Sequence, residues 1–403
     1  MRSVQGWKSR VAVALLFGIV FLMVTFINHR LGASLIGNMA NRDFVSLWTG
    51  GKALWLGVDP YDPQVWPDLR SRYGSRWIPD AICPFPLWTI AAFVPLSLLP
   101  LTVAAALWMT VSELSLILAV FLLVRTTGCP RNRLVTFTAL LSALLFRPFL
   151  SALTSGQLTP LLLLLLAGAV AVYVQGRSVL AGLLFAFLLF KPNLFILFFP
   201  ALVLLLLARR DWPGLIGLGV GAGGLAVPCS LLQPGWLPRW LGVSGKTSVT
   251  FLTPTLWGLA FDLVGPDRWI LAGTLAVCWV SGSVLFLVVR RREEWLFGMA
   301  LAMCSSLLVT PYLWNYDQLL LLLPALLALC RGARHHLLEI AACFVVLLVI
   351  PWGLFWVANL RGFDSLSVFV TVAVMGYLCV PWWGGDQRIR LERASSSSQE
   401  EGV

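Results

Sequence analysis

The chain has 403 residues, 59% of them hydrophobic and only 12% charged, with a formal net charge of +11. Soluble globular domains carry about 25% charged residues, so this composition, with a mean hydropathy of +0.86, excludes a water-soluble domain. The apolar runs reach ~15–23 residues, right for helices and too long for barrel strands, so the expected fold class is an all-α polytopic membrane protein.

The positive charge does not point to nucleic acid, and no nucleic-acid partner is expected. Basic residues come as short clusters between apolar runs, the pattern that orients membrane loops. The eight cysteines are scattered and form no C-x-x-C pair, so neither a zinc site nor a disulfide framework is expected.

Met1–Thr49 begins with Arg2, Lys8 and Arg10 ahead of an apolar core at 11–28. That core is longer than a usual signal core and reads as a retained anchor. Residues 29–83 then form a first loop that is polar, aromatic and acidic. It holds Asp43, Asp59, Asp62, Asp68 and Asp80, five of the eighteen carboxylates. Residues 84–100 are apolar but carry Pro84, Pro86, Pro95 and Pro100, which spoil a straight helix; the segment reads as re-entrant or as a short helix, with a thirteenth full span as the alternative.

Counting the anchor, apolar runs at 11–28, 103–125, 134–150, 159–175, 178–190, 194–208, 213–232, 268–290, 295–310, 317–330, 336–358 and 364–383 give twelve candidate helices. Several are short for a ~30 Å hydrocarbon core. Basic loops recur at Arg125/Arg131/Arg133, Arg177, Arg209/Arg210, Arg290–Arg292, Arg331/Arg334 and Arg388/Arg390/Arg393. Placing these in the cytoplasm with both termini gives one consistent alternation, and the 29–83 loop falls on the other side. Residues 1–383 are expected to form one transmembrane domain, and 384–403 a cytoplasmic, disordered tail. Gly221–Gly224 lies inside an apolar run, where small residues mean close helix packing rather than a phosphate loop.

The unusual polar residues concentrate on the predicted outer side. Asp43 heads a stretch in which Phe44, Leu47, Trp48, Ala53, Leu54 and Trp55 recur at helical spacing, as in a helix lying on the membrane surface. Its carboxylate has two readings: a cap for the first amides, or a general base that deprotonates an acceptor hydroxyl. Asp59-Pro60-Tyr61-Asp62-Pro63 reads mainly as a turn. Arg147 lies near the outer end of an apolar run, and Lys191-Pro192-Asn193 breaks another on the same side. Both cations either snorkel to the interface or meet an anionic lipid phosphate. Gln157 orients a sugar hydroxyl or satisfies loop carbonyls. Tyr312, Tyr316 and Asp317 open a Leu-rich run, where Asp317 serves the helix dipole or the catalytic loop. Trp257, with Trp236 and Trp240, is interface belt or sugar-stacking surface.

The order of these motifs resembles glycosyltransferase family 87, membrane enzymes of the GT-C superfold. The resemblance runs through Asp43-Phe44 with Trp48 and Gly51, Asp59-Pro60-Tyr61-Asp62, Pro84-Phe85-Pro86, Val94-Pro95-Leu96 and Leu98-Leu99-Pro100. It continues through Gly156-Gln157, Ala181-Gly182, Lys191-Pro192, Thr310-Pro311-Tyr312 and Tyr316-Asp317. It implies transfer of a sugar, typically mannose, from a polyprenyl-phosphate donor to a hydroxyl of a lipid or glycan acceptor at the extracytoplasmic face of the cell membrane. The reaction would invert the anomeric carbon, with Asp43 at the position of the superfold's loop base. Arg147 and Lys191 would meet the donor phosphate; Gln157, Asn193, Trp257, Tyr312, Tyr316 and Asp317 would hold sugar or acceptor. Two positions depart from the pattern: some members carry a histidine near Tyr316-Asp317, and Asn193 stands where glutamine is common. No cofactor beyond the lipid-linked donor, and no metal, is expected. A transporter of lipid-linked sugars and a non-catalytic envelope-assembly subunit are the alternatives; the first needs polar residues at mid-membrane, and the second does not need Asp43.

Overall fold

The computed structural model describes residues 15–16, 18–30, 43–73, 82–127, 133–244, 253–332 and 336–379. The 384–403 tail, the start of the first apolar run, Asn41, Arg42, Arg131, Arg334 and His335 lie outside them. Among the described residues the secondary structure is helical, without strands. In chain order the helices are α1 (Gly18–Arg30), α2 (Asp43–Trp55), α3 (Val65–Arg72), α4 (Leu87–Ala92), α5 (Val94–Ser97), α6 (Leu101–Thr126) and α7 (Arg133–Leu145). There follow α8 (Arg147–Ser155), α9 (Thr159–Val174), α10 (Ser178–Ala186), α11 (Phe198–Ala208), α12 (Trp212–Leu232), α13 (Trp236–Ser244) and α14 (Leu256–Val264). The last are α15 (Trp269–Arg290), α16 (Trp295–Val309), α17 (Leu322–Gly332), α18 (His336–Phe344), α19 (Ile350–Arg361) and α20 (Ser365–Cys379).

Over their described parts the twelve apolar runs are mostly helical, and the 134–150 run is broken at Phe146. Among the described residues, four stretches, α6, α12, α15 and Leu338–Arg361, are long and apolar enough to cross a membrane. The bent pair α7–α8 makes a fifth if it counts as one span. The protein is thus a polytopic membrane protein, and the other apolar helices have 10–17 residues. α12 and α15 bury only 11% and 17% of their apolar windows, so most of their side chains lie on the outside of the fold. The 84–100 segment forms α4 and α5, of 6 and 4 residues, each too short to cross ~30 Å. Cys83, Cys229, Cys278, Cys304, Cys343 and Cys379 are free thiols. Cys330 is disulfide-bonded, a bridge of which the scattered spacing gives no sign.

The fold divides into two compact units. The first comprises Met1–Ser115, Ala152–Leu161 and Leu225–Thr247, and α2 is its centre. Every residue from Phe44 to Gly51 is buried, so α2 is not the half-exposed surface helix that its spacing predicts. Gly50 and Gly51 explain the difference. A Cβ on Gly51 would lie 2.8 Å from the Phe93 carbonyl oxygen, and one on Gly50 3.1 Å from Ile90. Lacking side chains there, α2 lets α4 and α5 cover the face that would otherwise meet water. Trp48 donates to the Leu99 carbonyl at 3.2 Å and stacks edge-on against Tyr73.

The second unit comprises Leu116–Ser151, Leu162–Gly224 and Ser248–Val403. α16 is buried from Phe297 to Val309 and packs on α11, α15 and α17. The close packing expected at Gly221–Gly224 is centred slightly earlier. It holds at Gly221, where a Cβ would lie 2.5 Å from that of Ala186, and extends to Gly182 and Gly217, whose Cβ atoms would meet backbone at 2.2 and 2.1 Å, whereas Gly223 and Gly224 have nothing within 4 Å. Pro192 breaks the apolar run between α10 and α11 into 3-10 turns on either side of Lys191.

Candidate functional site

Asp43 is the first residue of α2, where the helix dipole favours a carboxylate. Gln157 donates its side-chain amide to Asp43 Oδ2. The Gln157 backbone is fixed by how α8 ends. Gly156 takes a left-handed φ of +65°, its N–H donates to Leu153 O, and the Gln157 N–H donates to Ala152 O at 2.9 Å. This is a Schellman termination, which needs a residue without a Cβ at the left-handed position. Trp108 donates to the Gly156 carbonyl at 3.0 Å, which pins the turn. Gln157 itself is 1% exposed.

Arg70 is the residue near Asp43 that sequence reasoning missed. It is buried on α3 on the same face as Trp66 and Leu69. Burial pushes its pKa below the usual guanidinium range, and the charge of Asp43 counters that shift. The i, i+4 spacing of Trp66 and Arg70, which puts a cation on the apolar face of a helix, is the signal that could have found it.

Asp59 and Asp62 of the first loop do structural work. Asp59 Oδ1 accepts from the Tyr61 N–H at 2.9 Å, and Asp62 Oδ1 accepts from the Gln64 N–H at 2.8 Å. Both are Asx turns. Tyr61 donates to the Phe85 carbonyl at 2.8 Å, and burial holds its phenol well above the usual tyrosine range. Arg239 pairs with Asp59 at 3.0 Å, and Trp240 donates to the Pro84 carbonyl at 3.0 Å. With Trp88 against Trp236, these contacts lock α13 to the loop and give Trp236 and Trp240 packing roles.

In the second unit, Lys191 and Asp317 form an ion pair of 2.6 Å, with side-chain exposures of 9% and 0%. The Lys191 ammonium also lies 4.9 Å from the Tyr316 ring centroid. Asp317 Oδ2 accepts from the Trp314 N–H at 3.4 Å, as an acid in a first helical turn does. Asn193 donates to the Tyr312 carbonyl at 2.9 Å, and the Tyr312 hydroxyl accepts from Trp314 at 2.7 Å. Trp257 donates to the Val309 carbonyl at 3.0 Å. The fold therefore brings Lys191, Tyr316 and Asp317 together, with Asn193 on Tyr312.

Arg147 belongs to a different set of neighbours. Pro148 lacks an N–H and bends the chain 49° between α7 and α8. The Phe149 N–H then turns to Phe146 O, and the Leu145 carbonyl accepts from Trp352 at 3.1 Å instead. At this break the Arg147 guanidinium lies 3.9 Å from the Phe355 ring centroid. It lines a small pocket with Asn315, Gln318, Asp364 and Ser367. Asn315 accepts from Ser151 at 2.8 Å, and Ser367 donates to Asp364. Burial pushes the Asp364 carboxyl above its usual range, against the opposing pull of Ser367, Asn315 and Arg147. Ser151, Asn315 and Asp364 carried no sequence signal beyond lying in predicted outer loops. Among the described residues, no group of three or more His, Cys, Asp or Glu side chains forms a metal-ligand set.

A family model for glycosyltransferase family 87 matches residues 84–311, more than half of the chain. The chain belongs to glycosyltransferase family 87. None of the curated proteins compared with this glycosyltransferase matches it. Arg147, Gln157, Lys191, Asn193 and Trp257 fall inside the matched segment of the enzyme, while Asp43, Tyr312, Tyr316 and Asp317 lie beyond its ends.

Proposed function

We propose that this glycosyltransferase transfers mannose from a polyprenyl-phosphate donor to a hydroxyl of a lipid or glycan acceptor. The fold is of GT-C type with about twelve spanning helices. Both termini are cytoplasmic, and the chemistry takes place at the extracytoplasmic face of the cell membrane. Asp43 is the general base. Its carboxylate takes the proton of the acceptor hydroxyl while that oxygen bonds to the anomeric carbon. The bond from that carbon to the phosphate oxygen breaks, and its electron pair leaves on polyprenyl phosphate. Attack opposite the leaving group inverts the centre, so a β-linked donor gives an α-linked product.

Arg147 and Lys191 supply cations that stabilise the departing phosphate, and Asn193, Trp257, Tyr312, Tyr316 and Asp317 contact sugar or acceptor. A lipid phosphate leaves as a stable anion, so the step needs neither metal nor cofactor. The observation that carries this reading is Asp43 itself. In a family 87 chain, it is a carboxylate at the head of an enclosed helix, hydrogen-bonded by a buried amide.

The test uses full-length protein in proteoliposomes with synthetic polyprenyl-phosphate mannose and a panel of hydroxyl acceptors. Asp43→Asn is expected to lower turnover by roughly 10²–10⁴-fold while donor binding persists. Retained turnover would remove Asp43 from the mechanism. Turnover with another polyprenyl-phosphate sugar, and none with mannose, would correct the sugar and keep the reaction.

A further inference from the structure

We infer that Gln157 is a positioning residue for the Asp43 carboxylate, holding one of its oxygens so that the pair presents a fixed, ionised base to the acceptor hydroxyl. This rests on the reading of Asp43 as the base.

Three observations carry it. The Gln157 amide donates to Asp43 Oδ2, and a carboxylate so bound keeps its second oxygen in a set direction. The Gln157 backbone cannot drift, because the Schellman turn and the Trp108–Gly156 bond fix it on both sides. The Gln157 side chain is 1% exposed while Asp43 is half-buried, so the donor is shielded from water, and a hydrogen bond to a charged group is stronger than a neutral one. α2 is fixed just as firmly by Gly50 and Gly51 against α4 and α5. Two rigid supports thus converge on one carboxylate, the arrangement by which a base is held in reacting geometry.

The charges around Asp43 agree with this role. α4 and α5 carry no titratable side chain. α3 contributes buried Arg70, whose charge interacts with Asp43, while its Asp68 and Arg72 are exposed. α2 itself adds Lys52 in its last turn, about two and a half turns away. Among the described residues, the neutral amide donor of Gln157 and the charge of Arg70 both favour the ionised carboxylate. During transfer the acceptor's proton moves onto this carboxylate and is later released to water.

The experiment measures kcat and KM against pH for the full-length enzyme in proteoliposomes with polyprenyl-phosphate mannose. Gln157→Leu keeps the volume and removes the donor; Gln157→Glu keeps the shape and adds a like charge. Both are expected to lower kcat by roughly 10–100-fold and to move the acid limb of the kcat/KM profile to higher pH. The glutamate variant should shift further, because a like charge disfavours ionisation more than a missing donor does. Gln157→Asn, which retains an amide, should recover part of the rate. A rise in acceptor KM alone, with kcat and the acid limb unmoved, would assign Gln157 to substrate and overturn the inference. If Gln157→Leu does not fold, the isosteric glutamate variant decides between the same two roles. An active Asp43→Asn variant defeats the base itself; an inactive one beside an unshifted Gln157→Leu profile defeats only the positioning role.

Discussion

Lys191 and Asp317 are 126 positions apart in sequence and 2.6 Å apart in the fold. Lys191 was conspicuous in the sequence because it breaks an apolar run on the side where positive charge is scarce. Asp317 was noted as an acid at a helix start, but its pairing with Lys191 was not, since nothing local couples a Lys-Pro break to an acid in a later helical turn. Asp43 was legible for a similar reason, as an acid heading an apolar-periodic stretch, and Gln157 as a polar residue between two apolar runs; their hydrogen bond and Arg70 were not, because three separate segments meet there. The Lys191–Asp317 pair makes a quantitative prediction. Removing one member strands the other charge in the interior, at a cost of about 3–5 kcal/mol, whereas replacing both with apolar groups is often near neutral. Lys191→Met and Asp317→Leu should therefore each lower the unfolding midpoint in detergent. The double variant should recover most of the stability and none of the transfer activity. Recovery of both would leave Lys191 with a structural role and no part in holding phosphate.

At the scale of elements, apolar periodicity and proline located most of the architecture. The twelve apolar runs are mostly helical over their described parts, and the breaks beside Pro148, inside the 134–150 run, and at Pro192 fall where a proline lacks its N–H. Enclosure is what periodicity did not report. α2 has the spacing of a half-buried helix, yet α4 and α5 close over its other face, and those short helices come from a proline-rich segment about forty residues later. Only the adjacent Gly50 and Gly51 hinted at it, because two glycines inside a helix each cost about 1 kcal/mol relative to alanine and need a compensating reason. Gly51→Ala sets those terms against each other. The propensity gain of about 1 kcal/mol opposes an overpacking cost of about 1–3 kcal/mol. Sterics should win, because the colliding atom is the Phe93 backbone carbonyl, 2.8 Å from the new Cβ, and cannot rotate aside. The unfolding midpoint should fall, while Gly223→Ala on open α12 leaves it level or higher. An unchanged Gly51→Ala midpoint would mean that α5 does not press on α2.

For the whole molecule, the open quantity is how often the chain crosses the bilayer, and α7–α8 is where the count turns. The two helices have 13 and 9 residues and meet at 49°. At 1.5 Å per residue the bent pair reaches roughly 30 Å end to end, just the thickness of the hydrocarbon core. A bend of that size permits either one broken span or a loop that enters and returns to the same side. Charge favours the broken span. Arg125 and Arg131 precede α7 and Arg133 opens it, while the Ser155–Thr159 connection carries no charged residue, an asymmetry that holds the first end in the cytoplasm. Reporter fusions at Gly128 and Ser155 separate the two cases. A cytoplasmic signal at Gly128 with an extracytoplasmic one at Ser155 is expected. Cytoplasmic signals at both would make α7–α8 re-entrant and shift every later crossing. The same result would put Gln157, and with it the Asp43 carboxylate it binds, on the cytoplasmic side, where a lipid-linked donor presented to the outer leaflet cannot reach it.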